Sequence, residues 1–207
     1  MKRMLLLCTV LLIAVQWAPA QVSFGGGGHL GISIASFPEG LKDYYGMGFG
    51  GGVHADGNLL KFLTVRFNMD YHTFGFDNKK FEEVIAQANG VAPSTIAFTG
   101  YRANIIGLTL NGIGKIPTRS IVTPYGLVGL GLHLMSLSDP KVTYNGQEVT
   151  IPGVGKSESQ SKFGLNFGAG AEFQFGKIKG FFEVKYVMIF TEGKNTNHIP
   201  ITFGIGI

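Results

Sequence analysis

A chain of 207 residues with a formal charge of +4 but only 14% charged residues sits well below the roughly 25% expected of a soluble globular domain. Its 32 glycines and 17 phenylalanines accompany a positive mean hydropathy of +0.23, and the glycines follow no collagen period. Nothing in the charge pattern points to nucleic acid, and linker or low-complexity character is excluded by the regular mixing of glycine with aromatic and aliphatic residues.

At the N-terminus, Lys2 and Arg3 precede an apolar run from Met4 to Val15 and then Ala18-Pro19-Ala20. This is the pattern of a secretory signal peptide over residues 1–20, cleaved before Gln21, which also removes two of the positive charges. The run is too short for a spanning helix, and no later stretch approaches the ~20 apolar residues that one needs. Any membrane crossing must therefore use strands. The single cysteine, Cys8, falls inside the leader, so the mature part, residues 21–207, has no disulfide, thiolate nucleophile or cysteine metal site. Its ~187 residues suit one domain.

Period-two alternation then dominates. Gly28 to Ala35 and Gly46 to Asp56 set Leu30, Ile32 and Ile34, then Met47, Phe49 and Val53, against faces made largely of glycine. From Leu63 to Phe74, Leu63, Val65, Phe67, Met69 and Tyr71 oppose Thr64, Arg66, Asn68, Asp70 and His72. Gly100 to Gly112 breaks phase, with Arg102 and Asn104 on one parity and Gly107, Thr109 and Asn111 on the other, which predicts a β-bulge near Ile105-Ile106. Tyr125 to Met135 sets Val128, Leu130, Leu132 and Leu134 against Gly129, Gly131 and His133. Phe163 to Phe175 alternates for thirteen residues, long for a soluble sheet. Phe182 to Phe190 puts Glu183 and Lys185 opposite Phe182, Val184, Tyr186, Met188 and Phe190. The last segment alternates Ile199, Ile201, Phe203, Ile205 and Ile207 with Pro200, Thr202, Gly204 and Gly206.

These eight strands are joined by alternating short and long connections. The short ones are Asp56 to Asn58, Lys115 to Arg119 and Gly176 to Gly180; the long ones are Phe37 to Tyr45, Gly75 to Phe98, Ser136 to Ser161 and Thr191 to His198. The pattern predicts an all-β fold, an eight-stranded antiparallel up-and-down transmembrane β-barrel, with short turns and both termini in the periplasm. Within the second long connection, Phe81, Val84 and Ile85 with Lys79, Glu82 and Glu83 predict about two helical turns. The third carries Lys156, Ser157, Ser159, Ser161 and Lys162 and reads as a solvated, mobile external loop.

Orientation follows from volume. A closed eight-stranded barrel holds little more than its own side chains, so a Phe, Leu and Ile face on nearly every strand overfills it. Turned outward, that face requires hydrocarbon, since withdrawing each such side chain from water is worth ~1.5–3 kcal/mol. Closure satisfies every backbone amide without water. Tyr45, Phe49, Tyr71, Phe74, Phe98, Tyr101, Phe163 and Phe190 near the long connections, and Phe173, Phe175, Phe181 and Phe182 near the short turns, then read as two aromatic girdles.

The leader, the eight alternating strands, Pro124-Tyr125 opening a strand that runs Gly129-Leu130-Gly131, and the strand at the C-terminus resemble the OmpA/OmpX-like porin family over essentially the whole mature chain. The resemblance implies an integral outer-membrane protein of a Gram-negative envelope, whose partners are outer-membrane lipids and, during biogenesis, the barrel-assembly machinery. It also implies a terminal aromatic residue, where this chain has Ile207 with Phe203 upstream.

On the predicted register Arg66, Asp70, Arg102, Glu172, Glu183 and Lys185 all project inward, three bases and three acids whose charges cancel. A gated pore or proton path is one reading; an ion network that plugs the barrel is favoured, with Glu172 and Glu183 pairing to Arg66, Arg102 or Lys185. Some eight-stranded outer-membrane barrels are lipid A-modifying enzymes using His with Ser, but His133 and Ser136 have odd spacing and face opposite ways on a regular strand, so His72 and His133 read as polar rim residues. His29, His54 and His198 are too scattered in sequence to suggest a metal site. Gly25 to Gly28 and Gly50 to Gly52 lack the helix and Lys-Ser/Thr pair of a phosphate loop. The expected protein is a non-enzymatic barrel with no cofactor, acting structurally or through a ligand at its loops; a narrow channel for small solutes and a lipid A-modifying enzyme are the alternatives.

Overall fold

Alternation carries the chain back and forth eight times, and each pass hydrogen-bonds to the next until the last meets the first. The computed structural model describes residues 22–36, 44–90, 92, 96–100, 102–138, 141–144, 147–149 and 159–207. The predicted leader, Cys8 and the Lys156-Ser157 part of the third long connection lie outside them. Eight long strands, β1 (Ser23–Ser36), β2 (Tyr45–Leu60), β3 (Leu63–Phe76), β5 (Arg102–Lys115), β6 (Val122–Leu137), β9 (Gln160–Phe175), β10 (Ile178–Ile189) and β11 (Thr196–Gly206), form a closed barrel in the order β1-β11-β10-β9-β6-β5-β3-β2. All neighbours are antiparallel. At the closing seam Leu30 sits opposite Phe203, and Gly26 and Ile207 exchange backbone hydrogen bonds of 3.2 and 3.0 Å. No sheet edge is left for lipid to meet, as a strand-built membrane protein requires.

The short turns gather at one end. The turn between β9 and β10 is two residues long, and Gly176 adopts the left-handed φ of 61° that a β-carbon would disfavour. The long connections gather at the other end and carry structure of their own. Helix α1 (Asn78–Asn89) is capped by the Asp77 carboxylate, which accepts from the Lys80 amide, and by Gly90 in the left-handed conformation. It spans three turns where the sequence pattern predicts two. Its Phe81 meets Tyr44 and Phe76 with ring centroids 5.5 and 5.3 Å apart, fixing the helix to the barrel mouth. Strands β4 (Ile96–Thr99), β7 (Lys141–Tyr144) and β8 (Gln147–Val149) form a small antiparallel sheet. Part of the third connection, expected as an open loop, is thus tied by β7 to the second, because a strand edge offered by one long connection is satisfied by the other.

The phase break expected in the Gly100 to Gly112 segment is absent: β5 pairs with β3 and β6 without interruption. Register shifts occur instead in β2 against β3, between Tyr45 and Gly48 and between Asn58 and Leu60. With β5 in a single phase, Ala103, Ile105, Gly107, Thr109, Asn111 and Ile113 face inward, while Ile106, Leu108 and Leu110 face out.

Candidate functional site

The lumen is layered, and each layer follows from what its strands bring to the same height. Toward the long connections it is apolar: Tyr45, Phe74, Ala103, Ile105, Val187 and Ile189 form a buried cluster, with Ala35, Phe76 and Met135 packed against it. Tyr45 and Phe74 were expected in an outward girdle; they fill the barrel mouth instead, because an apolar side chain is as well satisfied by a dry packed interior as by lipid. Phe181 is likewise inward and buried, whereas Phe49, Tyr71, Phe163 and Phe190 are exposed on the outer wall. Toward the short turns Ile113, Tyr125 and Leu127 form a second inward cluster.

Between the two lies an ion network. Arg66 grips Asp56 with both Nε and Nη2, at 2.7 and 3.0 Å, the geometry that makes a guanidinium-carboxylate pair strong. Its Nη1 reaches Glu183 at 3.5 Å, and its charged carbon lies 4.8 Å from the centre of the Phe181 ring. Glu183 accepts from the Tyr125 hydroxyl at 2.8 Å and lies 3.5 Å from the Lys185 ammonium. Lys185 also lies 3.6 Å from Asp70, whose other oxygen is 2.7 Å from His29 Nε2. Glycines across the strands make the room. Asp70 pairs with Gly52 and Gly107, Lys185 with Gly168, and Glu183 with Gly170. A β-carbon at Gly168 would stand 3.2 Å from Lys185 Cγ.

Of the six sequence-predicted residues, the structure brings Arg66, Asp70, Glu183 and Lys185 into one connected set. Glu172 also faces inward but pairs apart from it, with Lys115 Nζ at 2.8 Å. Arg102 does not belong: with β5 unbulged it falls on the outward parity and is exposed at the barrel mouth. Three members were missed. Asp56 shares the parity of Gly50 and Gly52, and His29 that of Gly27 and Gly31, both within the predicted strands, while Lys115 continues the parity of Asn111 past the predicted strand end.

His29, His54 and His198 were read as scattered and His72 and His133 as polar rim residues, yet all five are buried in the lumen. The ring centres of His72 and His198 are 5.1 Å apart, those of His29 and His54 6.1 Å. His133 has no hydrogen-bond partner at either nitrogen among the described residues, and Ser138 Oγ accepts from Asn104 Nδ2 at 3.3 Å. Among the described residues no group of three or more His, Cys, Asp or Glu side chains is arranged to hold a metal ion. Neighbouring polar rungs are closed by amides, Asn166 donating to Asn111 at 2.5 Å and Asn111 to Asn68 at 3.4 Å. Two lumen cavities, one between His72, His133 and His198, the other between His54, Arg66 and Glu172, are each about 10 Å³, space for roughly one water molecule.

A closed strand barrel with Phe, Leu and Ile on its outer wall and its ions inside is the build of an integral membrane protein, and no helix among the described residues is long and apolar enough to cross a membrane. The chain belongs to the family of the outer membrane protein beta-barrel domain, which matches residues 5–206. Among solved structures it is similar to the neisserial surface protein A, with 16% identity, 90% of this chain and 97% of that one covered, and a TM-score of 0.59. It is also similar to a major outer membrane protein from Thermus thermophilus, with 14% identity, 87% and 98% covered, and a TM-score of 0.52. At these identities the likeness concerns the fold. No curated protein sequence matches the chain.

Proposed function

We propose that this outer-membrane barrel is a non-enzymatic, solute-tight scaffold, with its short turns and both termini in the periplasm and its α1 and β4-β7-β8 elements displayed at the cell surface for interaction. The observation that carries the reading is the filled lumen: an apolar stopper toward the long connections, an ion network beneath it, and cavities of about 10 Å³ each. Eight strands leave an interior that side chains can fill, and these do so with compensated charges. The folded elements at the long-connection end favour display, since ordering loop residues has a conformational cost that a mere tether need not meet.

Planar-bilayer recording from the purified full-length protein tests it. The expected record is free of large, stable conductance steps; steps that persist across preparations would replace the scaffold with a channel. Lipid A mass spectra from cells with and without the protein are expected to coincide, and a changed acyl pattern would establish an enzyme.

A further inference from the structure

The outer wall is not uniformly convex. Across β9, β10, β11 and β1, near the short turns, lies a groove of about 740 Å³, within the ~300–1,000 Å³ range of small-molecule sites. Gly28 and Gly180 flank Ile205 in the same row of the sheet, on the outward parity, so the strands on either side of β11 present no side chain there and leave a notch on each side of Ile205. Leu30, Phe175, Phe203 and Ile205 rise around the gap and face outward, Leu30 being 72% and Ile205 67% exposed. Two notches floored by glycine and walled by aromatic and aliphatic groups, on a surface that faces hydrocarbon, fit a pair of acyl chains.

Charge at the same end indicates the headgroup. Each of the three short turns carries one cation, Lys61, Arg119 or Lys177, and no acidic side chain; Asp56 and Glu172, toward the same end, are committed inside the barrel to Arg66 and Lys115. Lys177 lies in the two-residue turn directly beyond Phe175, at the end of the groove. It is exposed and has no ion-pair partner among the described residues. A basic residue at the membrane boundary attracts anionic headgroups.

We propose that this groove is a binding site for one anionic glycerophospholipid, its two acyl chains lying over Gly28 and Gly180 on either side of Ile205 and its phosphate at Lys177. The assignment of that lipid to the periplasmic leaflet rests on the orientation proposed above; the binding does not.

The test is native mass spectrometry of the full-length barrel released from detergent micelles, titrated with phosphatidylglycerol, phosphatidylethanolamine or lipid A of matched chain length. Wild type is expected to retain one phosphatidylglycerol at least several-fold more than phosphatidylethanolamine. Gly180→Leu fills one of the two notches and is expected to reduce both lipids to the level of non-specific adducts. A β-carbon at this position meets nothing closer than the Gly204 carbonyl at 4.0 Å, so folding should be preserved, which heat-modifiable gel migration checks. Gly28→Leu, where the nearest atom is the Gly52 carbonyl at 3.5 Å, is the independent second filling. Lys177→Glu is expected to erase the preference for phosphatidylglycerol while leaving phosphatidylethanolamine retention unchanged. Equal retention by wild type and both leucine variants would overturn the proposal, as would a wild-type preference for lipid A. Cysteine accessibility on intact cells decides the orientation separately, so failure of either idea leaves the other to be judged on its own result.

Discussion

Glu183 is the residue on which the lumen network turns, because Arg66, Lys185 and Tyr125 all address its carboxylate. Replacing it with alanine leaves two cations short of an acceptor in a closed interior, a change that costs about 3–5 kcal/mol when one partner of a buried pair is removed. Glu183→Ala is therefore expected to lower the midpoint of denaturant unfolding of the folded barrel by that order, followed by circular dichroism and gel migration. Arg102→Ala, at an exposed position on the outward face, is expected to stay within ~0.5 kcal/mol of wild type. Equal losses at the two positions would remove the distinction between lumen and rim. The inward parity of Arg66, Asp70, Glu183 and Lys185 was legible because each stands in an unbroken alternation with large apolar neighbours. Arg102 was misplaced because Ile105 and Ile113 are apolar and inward; a rule that sends every apolar residue to lipid fails where the lumen itself is dry. Pairing between distant strands, such as Lys115 with Glu172, depends on barrel shear, which no local pattern encodes.

At the scale of elements, the strands were the legible part and the long connections were not. Every barrel strand but β5 shows its period over enough residues to define a face, and the structure lengthens most of them by a few residues. The β4-β7-β8 sheet was invisible, since three strands of three or four residues carry too little alternation to be seen and β4 pairs with β7 across a gap of more than forty positions. Helix α1 gave a weak signal through Phe81, Val84 and Ile85, and its anchorage through Tyr44 and Phe76 gave none. That anchorage makes a prediction. Phe81→Ala removes the half-buried ring that touches both aromatic residues, and a helix of this length is marginal without tertiary packing. Limited proteolysis is expected to cut the variant within residues 77–100 faster than wild type while the barrel keeps its heat-modifiable migration. The outer wall makes the complementary prediction: Leu130→Arg, midway along β6 and facing lipid, is expected to cost about 2–4 kcal/mol in folding into bilayers. Full retention of bilayer stability in that variant would place Leu130 away from hydrocarbon.

For the whole molecule, the two ends differ in kind. One end has two-residue to six-residue turns bearing Lys61, Arg119 and Lys177; the other has a helix, a small sheet and an apolar stopper just inside the mouth. Short turns on the periplasmic side and long connections outside are the usual arrangement of outer-membrane barrels and the orientation proposed above, and the asymmetry of the two ends makes it measurable. The chain's single cysteine is Cys8, so an introduced cysteine within residues 22–207 is unique there. Lys80→Cys, exposed on α1, is expected to react with a membrane-impermeant maleimide on intact cells, whereas Lys177→Cys is expected to react only after the outer membrane is permeabilised. The reverse pattern would invert the barrel, place the cationic turns at the cell surface and transfer the display role from α1 to the opposite end.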